Sequence, residues 1–281
     1  MEIYPLRFSL GPLEITGFGL MMMLAFLGAG WVMERDLRSR GMSDEYAWSI
    51  IVVGAIGGII GAKLWYFGLH QSWDALFSRA GLVWYGGFFG GLTALIINSI
   101  RLKIPVRFSA DLGAPGLAVG YALGRVGCFL VQDDYGGPSS LPWAMRFPQG
   151  EPPSTAFNLM AFGMEVPPGT SPFEVLAVHP TQLYETAIML TAFWVIWRLR
   201  SHRHAVGWLF GVYMMFAGIE RFFIEFLRAK DDRLLGSFTI AQVASLAVFA
   251  GGAALLVKFH EDDGKIREVD VPILSAASAT R

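Results

Sequence analysis

The sequence predicts an all-α polytopic membrane protein with seven transmembrane helices, and three observations predict it. Charged residues make up 16% of the 281 positions against 54% hydrophobic ones, whereas a soluble domain carries about 25% charged residues. The apolar residues form seven runs spread along the chain, and a membrane span needs about 20 of them. Lysine and arginine concentrate in alternate connections between the runs, the pattern that sets orientation across a bilayer.

In chain order the runs are 15–33, 46–69, 81–100, 112–131, 183–197, 205–227 and 237–257. The first is uncharged and lacks the basic leader and small-residue cleavage site of a signal peptide. The second holds Lys63, the fourth Arg125, and the short fifth Glu185 near its start; the sixth is uncharged until Glu220, Arg221 and Glu225. Arg35, Arg38 and Arg40 follow the first run, Arg101, Lys103 and Arg107 the third, Arg198, Arg200 and Arg203 the fifth, and Lys258, Lys265, Arg267 and Arg281 the last. The intervening connections carry only Arg7, Arg79 and Arg146, save for Arg228, Lys230 and Arg233 after the sixth run. This places the N-terminus outside and the C-terminus in the cytoplasm. The expected layout is a transmembrane domain over 1–257, interrupted by 132–182, and a cytoplasmic tail over 258–281.

Segment 132–182 holds nine of the chain's 14 prolines, including Pro152-Pro153 and Pro167-Pro168. Proline removes a backbone donor and blocks a continuous helix, so this segment reads as a small extracytoplasmic head of short strands and turns after the fourth span. Glycines recur one helical turn apart at Gly54/Gly58, Gly57/Gly61, Gly86/Gly90 and Gly116/Gly120/Gly124. Such faces let helix backbones approach closely in lipid.

Net charge is −1, so there is no basic field for nucleic acid. The lone Cys128 excludes an internal disulfide framework, and no H-E-x-x-H or C-x-x-C stretch marks a zinc site; no cofactor or metal is expected. Charges within spans are costly and mark function. At 1.5 Å per residue, Arg125 and Arg221 both stand roughly 22 Å above the cytoplasmic ends of their spans. Tyr85, Asp133, Asp134, His179 and Glu185 fall near the same outer layer. Arg221, Glu225 and Arg228 follow i, i+4, i+7 spacing and are expected on one helix face. They read either as an ion-pair ladder or, with Arg125, as a clamp whose guanidinium forks grip a phosphate.

The stretch Gly124-Arg125-Val126-Gly127-Cys128-Phe129, continuing to Asp133 and Gly136, resembles the signature G-R-x-G-N-F-x-N-x-E-x-x-G of the phosphatidylglycerol–prolipoprotein diacylglyceryl transferases. His179-Pro180-Thr181-Gln182-Leu183-Tyr184-Glu185 resembles the family's H-P-[ST]-Q-L-Y-E, and 221–228 its R-x-x-x-E-x-x-R. Order and spacing agree from about residue 10 to 255. The chain departs from the family at Tyr85, where a histidine is usual before Gly86-Gly87, at Cys128 in place of asparagine, and at Phe18 and Lys63.

The resemblance implies a multi-pass protein of the bacterial inner membrane with its site toward the outer leaflet. It implies transfer of the diacylglyceryl group of phosphatidylglycerol to the lipobox cysteine of a prolipoprotein, with release of glycerol phosphate. Tyr85, Arg125 and Arg221 are the expected catalytic residues. Arg125, Asp133, Gly136, His179, Gln182, Tyr184, Glu185, Arg221, Glu225 and Arg228 are the expected substrate contacts. A phenol, with pKa near 10, is a poor base, so Tyr85 is expected to orient or relay a proton, with His179 and Asp133 the next candidates. The alternatives are a diverged relative that binds phospholipid without this transfer or performs another lipid transfer, and a transporter, which the lower halves of the spans do little to support.

Overall fold

The apolar runs become helices whose ends are set by local chemistry. The computed structural model describes residues 1–11, 13–74, 83–229, 233–235 and 238–260. Its elements are β1 (Arg7–Leu10), β2 (Leu13–Thr16), α1 (Gly17–Ser39), α2 (Glu45–His70), α3 (Trp84–Arg101), α4 (Val106–Val131), α5 (Ala156–Ala161), α6 (Thr181–Leu199), α7 (Trp208–Ile224), β3 (Arg233–Leu235), β4 (Phe238–Thr239) and α8 (Ile240–Lys258). Arg79, Lys230, the first residues of the third run, and the tail after 260 lie outside the described residues.

Four helices, α1, α2, α4 and α8, are long and apolar enough to cross a bilayer; α3, α6 and α7 pack beside them. Thr16 caps α1 by accepting from the Gly19 amide at 3.1 Å. Thr239 and Gln242 form a reciprocal capping box on α8, so each satisfies a donor that a helix start leaves open. The α7 start has no capping side chain of its own. Asp111 of α4 supplies it, accepting from the Gly207 and Phe210 amides at 2.7 and 2.8 Å, a buried carboxylate at the positive end of a helix.

The bundle is organised around α4. On one side Ala114, Ala118 and Ala122 bury against Met189, Ala192 and Ile196 of α6 and Leu209 and Val212 of α7. Lower on α4, Phe108 and Leu112 join Met33 and Leu37 of α1 and Tyr46, Ala47 and Ile50 of α2. The α2–α3 pair is closer still: a Cβ on Gly90 would lie 2.7 Å from the Gly61 Cα, a separation that only glycine allows.

The head over 132–182 has its own small core of Tyr135, Phe147, Ala156, Leu159, Leu176 and Val178. Isolated bridges 138↔178, 145↔178 and 155↔175 hold it together. The N-terminal segment, unassigned in the sequence reading, joins it through the Glu2↔Arg146 bridge and an Arg7–Glu151 ion pair.

Two boundaries correct the sequence reading. The fifth run is a 19-residue helix rather than a short one. The sixth helix ends at Ile224, so Glu225 is its C-cap and Arg228 lies beyond it, bridged to Gly136. The three residues therefore do not share a helix face. The chain turns over 225–227 because the Gly136–Gly137 strand offers pairing that another helical turn would not.

Candidate active site

The site is built where the end of α4, the start of α6 and the end of α7 meet the first residues of the head. Tyr121, Arg125 and Cys128 follow i, i+4, i+7 spacing on α4 and so share one face. Gln132 and Asp134 adopt positive φ of 66° and 56° and turn the chain back over the helix end. Two buried side chains of α6 hold that reversal: Gln182 Nε2 donates to the Asp133 carbonyl at 2.5 Å and Thr181 Oγ1 to the Asp134 carbonyl at 2.9 Å. Gly136 is required at the crossing. A Cβ there would lie 2.5 Å from the Leu227 carbonyl oxygen and 2.8 Å from the His179 Cβ.

Each arginine faces a carboxylate. Arg125 pairs through Nε with the fully buried Glu185 and through Nη1 with Asp134 at 2.9 Å, while its guanidinium lies 5.3 Å from the Tyr121 ring centre. The other Asp134 oxygen takes Arg228 Nη2 at 2.5 Å. Arg221 Nη2 sits 2.7 Å from Glu225 Oε2, Glu225 Oε1 accepts from Thr239 Oγ1 at 3.2 Å, and Arg228 Nε approaches Glu225 at 3.9 Å. The Tyr121 hydroxyl stands 3.0 Å from Glu185 and 3.2 Å from Glu220, with one hydrogen to give. Glu185 feels the fields of Arg125, Arg228 and Arg221 together. The bare two-arginine clamp of the sequence reading is thus a network of three guanidiniums threaded by carboxylates.

One cationic donor in it is left over. Arg221 Nη1 is buried with no hydrogen-bond partner among the described residues, yet the side chain keeps 27% of its surface. A buried unpaired donor on a charged group is expensive.

Outside the spans, the two adjacent aspartates diverge. Burial, then the charge of Asp134, pushes the Asp133 pKa up. Burial also opposes the Asp134 carboxylate, but Arg228 and Arg125 outweigh it and hold its pKa below the usual value. Asp133 Oδ1 has no hydrogen-bond partner among the described residues. The Cys128 thiol and the two aspartates bring ligand atoms within 4.8 Å of one another, but both Asp134 oxygens are taken by arginine, which leaves a poor cage for a cation.

Among the described residues, no hydrogen bond joins the His179 or Tyr85 side chain to the arginines. His179 Nδ1 is 3.4 Å from the Tyr184 hydroxyl, which accepts from Trp143 Nε1 at 2.8 Å; burial lowers its pKa. Tyr85 is 56% exposed and its ring meets Trp65 and Trp84. No hydrogen bond joins it to the network among the described residues. Tyr121 and Thr239 escaped the sequence reading, and Glu220 was noted there only as a charge. The missed signal was a polar residue exactly one turn before Arg125 in an otherwise apolar run.

A family model described as prolipoprotein diacylglyceryl transferase matches residues 5–258. The chain belongs to the prolipoprotein diacylglyceryl transferase family. It is 31% identical to the phosphatidylglycerol–prolipoprotein diacylglyceryl transferase of Geobacter sulfurreducens, over 91% of this chain and 95% of that one. It is 30% identical to the protein of the same name from Pseudoalteromonas translucida, over 91% and 92%, and 29% identical to that of Pasteurella multocida, over 94% and 95%. The three family stretches, widely separated in sequence, converge here through Arg125, Glu185 and the Arg221–Arg228 segment.

Proposed function

We propose that this chain transfers the diacylglyceryl group of phosphatidylglycerol to the cysteine thiol of a prolipoprotein lipobox, releasing glycerol phosphate. The observation that carries the reading is the orphan Arg221 Nη1 beside Arg228 and Arg125, in a chain whose relatives bear that activity in their names. The seven long helices act as seven spans, with the N-terminus outside, the C-terminus in the cytoplasm and the network opening toward the outer leaflet of the bacterial inner membrane. Apart from the 228–233 connection, whose Arg228 belongs to the network, the connections on that side are poor in lysine and arginine, which supports this orientation.

In the reaction the thiol sulfur forms a bond to the terminal glycerol carbon of the diacylglyceryl group. The bond from that carbon to the phosphate oxygen breaks, and glycerol phosphate departs with the electron pair. Arg221 and Arg228 bind the phosphate and offset its growing charge. Arg125, held by Glu185, Asp134 and Tyr121, adds its charge to the same field. The thiol, with pKa about 8.5, gives its proton to a base. Asp133 suits that role better than Tyr85, since its carboxyl has a free oxygen and a raised affinity for the proton. Gln182 and Gly136 position the loop that carries it, and His179 with Tyr184 lines the approach of the peptide.

The test is conversion of a lipobox peptide by purified protein in phosphatidylglycerol vesicles, read as a diacylglyceryl mass increment. Binding of phosphatidylglycerol without any increment, beside an active relative, would establish the non-transferring alternative.

A further inference from the structure

At the opposite end of the bundle, α1 and α6 finish with a repeated pairing of tryptophan and arginine. Arg35 lies 5.7 Å from the Trp31 ring centre, Arg198 5.4 Å from Trp194, and Arg200 4.1 Å from Trp197. The run of α6 from Glu185 to Arg200 separates this end from the arginine network by roughly 22 Å at 1.5 Å per residue. Tryptophan gathers at the headgroup level of a bilayer, so these pairs mark the second membrane face.

A cleft of about 380 Å³ opens between the two helix ends, lined by Trp31, Glu34, Arg35 and Arg38 of α1 and by Trp197 and Arg200. Its own carboxylates are already engaged. Glu34 accepts from Trp48 Nε1 at 2.8 Å and pairs with Arg38 at 2.7 Å. Asp36, buried behind it, takes both an Nε and an Nη2 donor from Arg40 at 3.1 and 2.7 Å. Arg38 is further fixed by Asp44 at 2.6 Å. That leaves Arg35 without a carboxylate in ion-pair range among the described residues, and Arg200 with only a share of Asp36, which Arg40 already holds more closely. Arg200 gives Nη1 to the Trp197 carbonyl at 2.7 Å and only approaches Asp36, at 3.7 Å.

We infer that this cleft binds the phosphate of an anionic phospholipid in the leaflet opposite the active site, gripped by Arg35 and Arg200 and flanked by Trp31 and Trp197. One unpaired guanidinium, Arg35, and one that only shares a carboxylate, Arg200, at headgroup height favour a lipid with net negative charge over a zwitterionic one. The proposal rests on the membrane topology given above but not on the transfer reaction.

The test titrates delipidated protein with dioleoyl phosphatidic acid, dioleoyl phosphatidylcholine or inorganic phosphate, and counts bound molecules by native mass spectrometry. Peptide transfer is assayed on the same preparations. The expected result is that R35Q weakens one phosphatidic acid site about fivefold, that R35Q/R200Q removes it, and that both variants retain transfer. R221Q should leave this site intact. Because Arg35 makes no ion pair, R35Q alone decides the matter if the double variant fails to fold. Equal retention of phosphatidic acid by wild type and R35Q overturns the proposal. So does phosphatidylcholine binding as tight as phosphatidic acid, or inorganic phosphate binding as tight as the lipid. A chain that lacks transfer altogether yet shows the R35Q effect would sink the enzyme reading and leave this site standing.

Discussion

The α2–α3 pair and the α4–α6–α7 junction are joined by opposite means. In the first, Gly57 and Gly61 meet Gly86 and Gly90, and contact is backbone against backbone. In lipid there is no water to drive the helices together, so close van der Waals fit supplies the attraction. In the second, the glycines give way to three arginines and their carboxylates: Arg125 and Arg228 pair with carboxylates on other segments, and Arg221 with Glu225 at the end of its own helix. The first arrangement is local and forgiving of chemistry but not of volume. The second is forgiving of volume but not of charge.

The largest break in that comparison is Arg125→Ala. It strands the fully buried Glu185 without its cation, a loss of about 3–5 kcal/mol in buried pairs. Thermal unfolding in detergent should shift down accordingly, and transfer should fall to background. Next is Asp133→Asn, which should cut the transfer rate by about 10²–10⁴ if Asp133 is the base while raising thermal stability at pH 7. The sign follows from its raised pKa. Ionising Asp133 costs stability as pH rises through the ordinary carboxylate value and on to the folded one, so the advantage of the asparagine should vanish as pH is lowered through that window. A drop in both rate and stability would make Asp133 structural instead.

On the glycine side, Gly90→Leu forces a side chain against the Gly61 backbone. A cost of about 1–3 kcal/mol is expected for such overpacking, visible as a lower unfolding temperature, with the rate per folded molecule little changed. The smallest effect belongs to Tyr85→Phe. Its hydroxyl holds no described hydrogen bond, so transfer should stay within about twofold, an effect below roughly 0.5 kcal/mol. A large loss would return the phenol to the mechanism.

The glycine packing was legible because its signal is local: residues one turn apart on a single helix declare the contact face without naming the partner. The long helices were legible for the same reason: each apolar run becomes a helix, and four of them are long and apolar enough to cross a bilayer. The network was half legible. Arg125, Glu185, Arg221, Glu225 and Arg228 stood out as charges in lipid, but which carboxylate meets which arginine depends on the head's chain reversal at Gln132 and Asp134, and nothing in residue spacing encodes that. Extending the sixth helix through Arg228 was a periodicity argument carried past the point where pairing with Gly136 takes over. Tyr121 went unseen because a tyrosine inside a span reads as one more apolar residue until its hydroxyl is placed between two glutamates.

The account turns on Arg221 holding the lipid phosphate, and the most direct measurement is the KM for phosphatidylglycerol of Arg221→Ala against wild type in mixed vesicles. A rise of tenfold or more in protein that remains folded, with partial recovery in Arg221→Lys, which keeps a cation beside Glu225, is the predicted result. An unchanged KM in a folded, active Arg221→Ala protein would contradict it.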